Sequence, residues 1–201
     1  LEAYRQGLSR FVYQTGLFMR PVFAAAKAAC AKAEARVVFA EGEDERVLRA
    51  VQVVLDECLA QPILVGRPEV IRMRIERAGL RLAAGRDFEV CNPEDGPRFR
   101  SYWEDYAALM GREGITTEAA KAAVRRSNTL IAALMLKRGE ADGMLCGLVG
   151  RYDAHLEHVR TIIGHKAGHR TLAAMNALML EQHTLFIADT FVNEEPSADE
   201  L

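Results

Sequence analysis

Two glycine turns carry the residue types that anion chemistry needs. The first, Gly42-Glu43-Asp44-Glu45-Arg46, follows a short apolar run at 36–39 and opens into an apolar-periodic stretch at 47–59. A strand, a tight turn and a helix in that order present backbone amides at a helix N-terminus, with Arg46 beside them, to a phosphate. Gly42 and Arg46 are therefore the phosphate candidates. Glu43, Asp44 and Glu45 pull the other way. They complement the helix dipole themselves and repel an anion, so a charged, well-capped helix start is the competing reading. The second turn, Gly147-Leu148-Val149-Gly150 with Arg151, follows another strand at 142–146. Its glycines let a ligand approach the backbone, and Arg151 offers a planar, permanently charged fork to phosphate or carboxylate.

Other constellations are weaker. Asp189, Thr190 and Asn193 stand just beyond the apolar run 185–188, where a strand-end site and a turn before Pro196 are equally good readings. His155 and His158 (i, i+3) and His165 and His169 (i, i+4) have spacings that helices use for zinc. No cysteine lies near them, and Gly164 and Gly168 interrupt the second pair, so hydrogen-bonded or solvated histidines are expected and no metal site is assigned. Neither GxGxxG nor GxxxxGK[S/T] occurs, which gives a dinucleotide fold or P-loop no support. No Ser/His/Asp or Cys/His set can be assembled from spacing, and no catalytic residue is assigned.

The elements that must position these turns alternate. The pattern predicts a strand at 36–40, a helix at 44–59, a strand at 62–65, a helix at 68–78 and a short strand near 88–91. Asn92 to Pro97 form a turn cluster, and Phe99, Tyr102, Trp103, Tyr106 and Met110 then fall at helical spacing as a core stripe. Thr116 is a plausible N-cap, and a helix at 128–137 ends on Arg138-Gly139 with the expected cation and glycine. A helix at 152–163 follows the second turn, and 171–180 with 184–188 suit a hairpin. Residues 3–33 read as helical, interrupted near Gly16–Arg20 and Pro21, outside the alternation. Crossover helices of this length join parallel strands, so the fold class is α/β with a mostly parallel sheet.

The chain has 201 residues, 50% hydrophobic and 27% charged, with a formal net charge of −2. That balance points to no nucleic acid and no membrane surface as partner. No apolar run nears the ~18 residues of a membrane span, and no secretory signal is visible. Cys30, Cys58, Cys91 and Cys146 are scattered without CxxC spacing, as reduced packing residues in a cytoplasmic protein are. The chain lacks an initial Met and breaks off mid-pattern, which reads as a fragment.

Four segments resemble phosphate acetyl/butyryl transferases. They are Ala40-Glu41-Gly42-Glu43-Asp44-Glu45-Arg46, Gly114-Ile115-Thr116-Thr117-Glu118-Ala119-Ala120, Gly139-Glu140-Ala141-Asp142-Gly143-Met144 and Phe186-Ile187-Ala188-Asp189-Thr190-Phe191-Val192-Asn193. The stretch from Phe11 to Phe23, with Tyr102-Trp103-Glu104-Asp105-Tyr106 and Met175-Asn176-Ala177-Leu178, is similar to the phosphotransacetylase-like C-terminal domain of bacterial hybrid NADP-dependent malic enzymes. The resemblance implies a three-layer α/β/α, phosphotransacetylase or isocitrate-dehydrogenase-like two-lobe fold, truncated at the C-terminus. It also implies a helical linker at 1–33, a first lobe at 34–149 and the start of a second at 150–201. Acyl-CoA would bind between the lobes, with Gly147, Gly150, Arg151, Arg160, Asp189 and Asn193 as candidate acetyl-CoA residues. Active transferases carry a His/Ser-Thr-Ala-Asp-type segment where this sequence has Gly150-Arg151-Tyr152-Asp153-Ala154-His155. The expected role is therefore a regulatory, oligomerising domain that senses acetyl-CoA and has no cofactor of its own. NADP and a divalent metal would belong to an absent catalytic domain. A working phosphate acetyltransferase and a purely structural assembly module are the alternatives.

Overall fold

A computed structural model describes residues 19–33, 35–169, 171–180, 183–190, 192–193 and 197–198. The helix expected before Met19, with its interruption near Gly16, lies outside these. In chain order the elements are α1 (Met19–Ala33), β1 (Arg36–Phe39), α2 (Glu45–Asp56), β2 (Gln61–Val65), α3 (Pro68–Ala78) and β3 (Glu89–Cys91). There follow α4 (Gly96–Met110), α5 (Thr117–Arg126), α6 (Asn128–Lys137), β4 (Gly143–Leu145), α7 (Tyr152–His158), β5 (Met175–Met179) and β6 (Thr184–Ala188). Contacts divide the chain into one unit at 29–164 and another comprising 1–28 and 165–201.

In the first unit β1 to β4 form a parallel sheet in the order β3-β2-β1-β4. Alternation along each strand feeds two separate cores. Val38, Ala40, Ile63, Val65 and Cys91 point to one face, under α4, α5 and α6. Phe39 and Leu64 point to the other, under Leu48 and Val51 of α2 and Ile71 and Ile75 of α3. The result is a three-layer α/β/α arrangement. Helix α6 is buried from Thr129 to Met135 and apolar nearly all round, as a helix at the centre of a core must be. Burying Leu130 or Ile131 there contributes about 1.5–3 kcal/mol each.

The helix ends follow local chemistry. Asp44 caps α2 by accepting from the Arg46 N–H, Thr116 caps α5 through the Ala119 N–H, and Ser127 caps α6 through the Leu130 N–H. The expected 44–59 helix stops at Asp56, because Glu57 closes it and Cys58 takes a φ of 52°. The expected 152–163 helix is α-helical only to His158. Val159–Ile163 widens into a π turn closed by the Gly164 N–H on the Val159 carbonyl. Arg36 fixes the start of the central pair of strands, its N–H donating to Asp142 and its guanidinium to the Gly139 carbonyl, both at 2.8 Å.

In the second unit β5 and β6 pair antiparallel, from Met175 opposite Ala188 to Met179 opposite Thr184. Met175, Leu178, Leu185, Phe186 and Ile187 are all exposed. No helix among the described residues is long and apolar enough to cross a membrane.

Candidate functional site

The strand order sets the site. From β1 the chain moves to β2 on one side, and later returns to place β4 on the other. The carboxyl ends of β1 and β4 thus flank the point where the order reverses, which is where open α/β sheets bind ligands. Both glycine turns singled out in the sequence emerge there. The Glu41 carboxylate accepts the Gly147 N–H at 2.8 Å, and the Ala40 N–H donates to the Leu145 carbonyl at 2.9 Å. Two turns 106 residues apart are thereby tied into one wall.

Six of the candidate residues lie in the first unit. Gly42 is buried, and its N–H continues the sheet by donating to the Val65 carbonyl at 3.1 Å. A Cβ on it would sit 2.8 Å from both Leu64 Cβ and the Val65 carbonyl oxygen, so close packing against β2 requires the glycine. Arg46 folds back on Asp44, with Nε and a terminal nitrogen each 3.0 Å from the carboxylate. Gly147 and Gly150 hold φ of 95° and 109°, where side chains are strained. Arg151 is 84% exposed and pairs with Asp153. Arg160 lies in the π turn.

Beside this wall is a cleft of about 630 Å3 over the ends of β1, β2 and β3. Glu41, Glu43, Asp44 and Glu94 contribute carboxylates, and Arg67, Arg74 and Arg125 contribute guanidinium groups. Arg67 grips Glu43 through two side-chain bonds of 2.9 Å, while Arg74 donates to the Glu43 carbonyl. The Arg67 guanidinium beside Glu43 holds that carboxyl below the usual carboxylate range, and Arg46 does the same for Asp44. Sequence reading missed Arg67, Phe99, Arg125 and Asn128 because they come from separate elements that only the fold brings to one cleft.

The histidines of α7 are spoken for. His155 donates from Nε2 to the Val149 carbonyl at 2.8 Å, so its Nδ1 accepts the Thr129 hydroxyl at 2.8 Å. Ser127 accepts the Leu130 N–H and so has its hydroxyl proton available for His158 Nε2, 3.0 Å away. Burial, with His155 close by, holds the His158 ring below its ordinary value. The i, i+3 spacing located one helix face, and its partners are hydroxyls on and before α6. Among the described residues no group of three or more His, Cys, Asp or Glu is arranged to hold a metal ion.

Asp189 and Asn193 lie in the second unit and close a turn beyond β6. Asn193 N–H donates to Asp189 Oδ1 at 3.1 Å, and its Nδ2 donates to the Leu172 carbonyl at 2.9 Å. Asp189 adopts φ 50°, and its buried Oδ2 has no hydrogen-bond partner among the described residues.

The family model for phosphate acetyl/butaryl transferases matches residues 17–201. The chain is 52% identical over 200 residues to an NAD-dependent malic enzyme of Rhizobium meliloti (strain 1021), covering 100% of this chain and 26% of that protein. It is 49% identical, with the same coverage, to an NADP-dependent malic enzyme of Escherichia coli (strain K12). The chain thus spans about a quarter of the length of these relatives. A crystal structure of a phosphotransacetylase from Streptococcus pyogenes superposes with a TM-score of 0.77 at 26% identity, covering 92% of this chain and 55% of that one.

Proposed function

The chain belongs to the phosphate acetyl/butaryl transferase family, and from that premise we propose that it is a regulatory and assembly domain of an NADP-dependent malic enzyme. The parent would oxidatively decarboxylate malate to pyruvate in the cytoplasm, using NADP and a divalent metal held outside these residues. Acetyl-CoA would be the effector. The observation that carries this reading is the contrast in likeness. Identity is 52% and 49% along the whole chain to parts of two malic enzymes, against 26% to the phosphotransacetylase structure.

A second observation bears on any phosphate-bearing ligand, substrate or effector. At the reversal of strand order, three cations that could serve a substrate phosphate are paired within the chain: Arg46 with Asp44, Arg67 with Glu43 and Arg151 with Asp153. The Gly147 amide is likewise taken by Glu41. Any phosphate-bearing ligand, a CoA effector included, must displace these carboxylates, which costs least at a pair as exposed as Arg151 with Asp153.

The test has two arms. In a coupled assay this chain gives no acetyl exchange between CoA and phosphate above a blank, and turnover well above it would favour the working-transferase alternative. In the full-length parent, malate-dependent NADPH formation falls as acetyl-CoA rises, and Arg151→Ala and Arg160→Ala relieve that inhibition without lowering uninhibited turnover. A coupling of ~1–3 kcal/mol corresponds to a ~5–150-fold change in affinity. A flat wild-type curve would favour the purely structural module, and unchanged variant curves would overturn the two arginine assignments.

A further inference from the structure

We propose that the cleft over the ends of β1–β3 is a ligand site in its own right, in which Arg125 and Asn128 anchor the single carboxylate or phosphate group of a compact organic anion. This goes beyond the acetyl-CoA reading and does not depend on it. The cleft's charges are mostly spent. Glu41 holds the Gly147 amide, Glu43 is gripped by Arg67, and Asp44 is occupied by Arg46 and the helix cap. Arg74 donates to the Glu43 carbonyl. Arg125 differs. Among the described residues its guanidinium has no hydrogen-bond or ion-pair partner, and it lies over the Phe99 ring at 4.9 Å. Stacking on an aromatic face fixes the plane of a guanidinium while leaving its N–H edge to meet an anion.

Asn128 lines the same cleft, and its carboxamide also has no partner among the described residues. Phe99, Pro93 and Val149 supply the apolar surface against which a ligand body would lie. The volume of about 630 Å3 suits a small molecule. Charge sets the class. The lining holds four carboxylates against three guanidinium groups, and Arg125, whose charge reaches Glu118 on the same helix, is the arginine with no hydrogen bond among the described residues. One negative charge is matched there, while a polyphosphate would be repelled by the remaining acidic wall.

The experiment titrates the isotope-labelled full chain with benzoate, inorganic phosphate and ATP, following the Arg125 Nε and Asn128 Nδ2 resonances by NMR. Saturable shifts with benzoate identify a carboxylate ligand, saturable shifts with phosphate identify a phosphate ester, and either supports the site. Arg125→Gln is expected to weaken binding by about tenfold or more, the worth of a charge-assisted contact. Asn128→Asp provides the control. An acid at the first position of a helix favours folding, so this variant should stay folded yet lose the anion. The proposal is overturned if neither single-charge probe saturates up to about 20 mM, a range in which even millimolar binding registers. It is equally overturned if both variants bind as wild type does, or if ATP binds more tightly than benzoate and phosphate.

Discussion

The Glu41 carboxylate accepts the Gly147 N–H at 2.8 Å, joining the turn after β1 to the turn after β4. The bond spans the reversal in strand order, so it holds together the two loops that any ligand at that point must meet. A carboxylate here fills the position that the turn's geometry alone would offer to a substrate anion.

Removing that carboxylate should loosen the second turn without unfolding the sheet. Glu41→Ala is expected to lose about 0.5–1.5 kcal/mol of stability, the usual net worth of one hydrogen bond. Its signature is local: amide exchange at Gly147 accelerates while the β1–β2 amides stay protected. Unchanged protection at Gly147 would show that the bond does not order the turn.

Two glycines give opposite outcomes with one substitution. At Gly42 a Cβ meets Leu64 Cβ and the Val65 carbonyl at 2.8 Å. Gly42→Ala should therefore destabilise by about 1–3 kcal/mol through overpacking. Gly111 has open space around it and φ −59°, so Gly111→Ala should stabilise by about 0.4–1 kcal/mol through the unfolded chain. Urea unfolding of the two variants checks both signs.

The half-buried pair of Ser127 and His158 predicts a dependence on pH. The folded state keeps His158 neutral below its ordinary value of about 6.5, so the unfolded chain takes up a proton first as pH falls. This group's contribution to stability is complete above that value and declines below it, down to the folded-state pKa. His158→Gln should flatten the fall in unfolding free energy between about pH 7.5 and 5.5 relative to wild type. Parallel curves for the two proteins would remove His158 from the account.

The β5–β6 hairpin predicts association. In the register of the pair, Met175 and Phe186 lie on one face and Leu178 and Ile187 on the other, and all four are exposed. A two-stranded ribbon is marginal alone, and apolar groups on both faces need covering. Light scattering of the chain should report a mass above the monomer, and Phe186→Glu with Ile187→Lys should lower it. A clean wild-type monomer at high concentration would contradict the prediction.

Much of the fold was legible in the residues because its causes are local. The short apolar runs at 36–39 and 62–65, the capping hydroxyl of Thr116 and the Arg138-Gly139 stop act within a few positions, and the structure shows each of them where the pattern put it. The family was legible for a related reason: words such as Ala40-Glu41-Gly42 and Ala141-Asp142-Gly143 mark strand ends, and at Gly42 the close approach of β2 leaves no room for a side chain. What the sequence could not determine was which charges are spent. Arg46 and Arg151 read as free cations, yet each folds onto a carboxylate two residues away. Glu41 read as part of an acidic turn, yet it serves Gly147 because β4 lies beside β1. Arg125 carries no motif of its own, yet the fold sets it over Phe99 at the cleft. The two arginine pairs are local and set by the conformation of their turns, whereas strand order and helix packing decide the Glu41 and Arg125 contacts, bringing together groups whose separation along the chain carries no local signal.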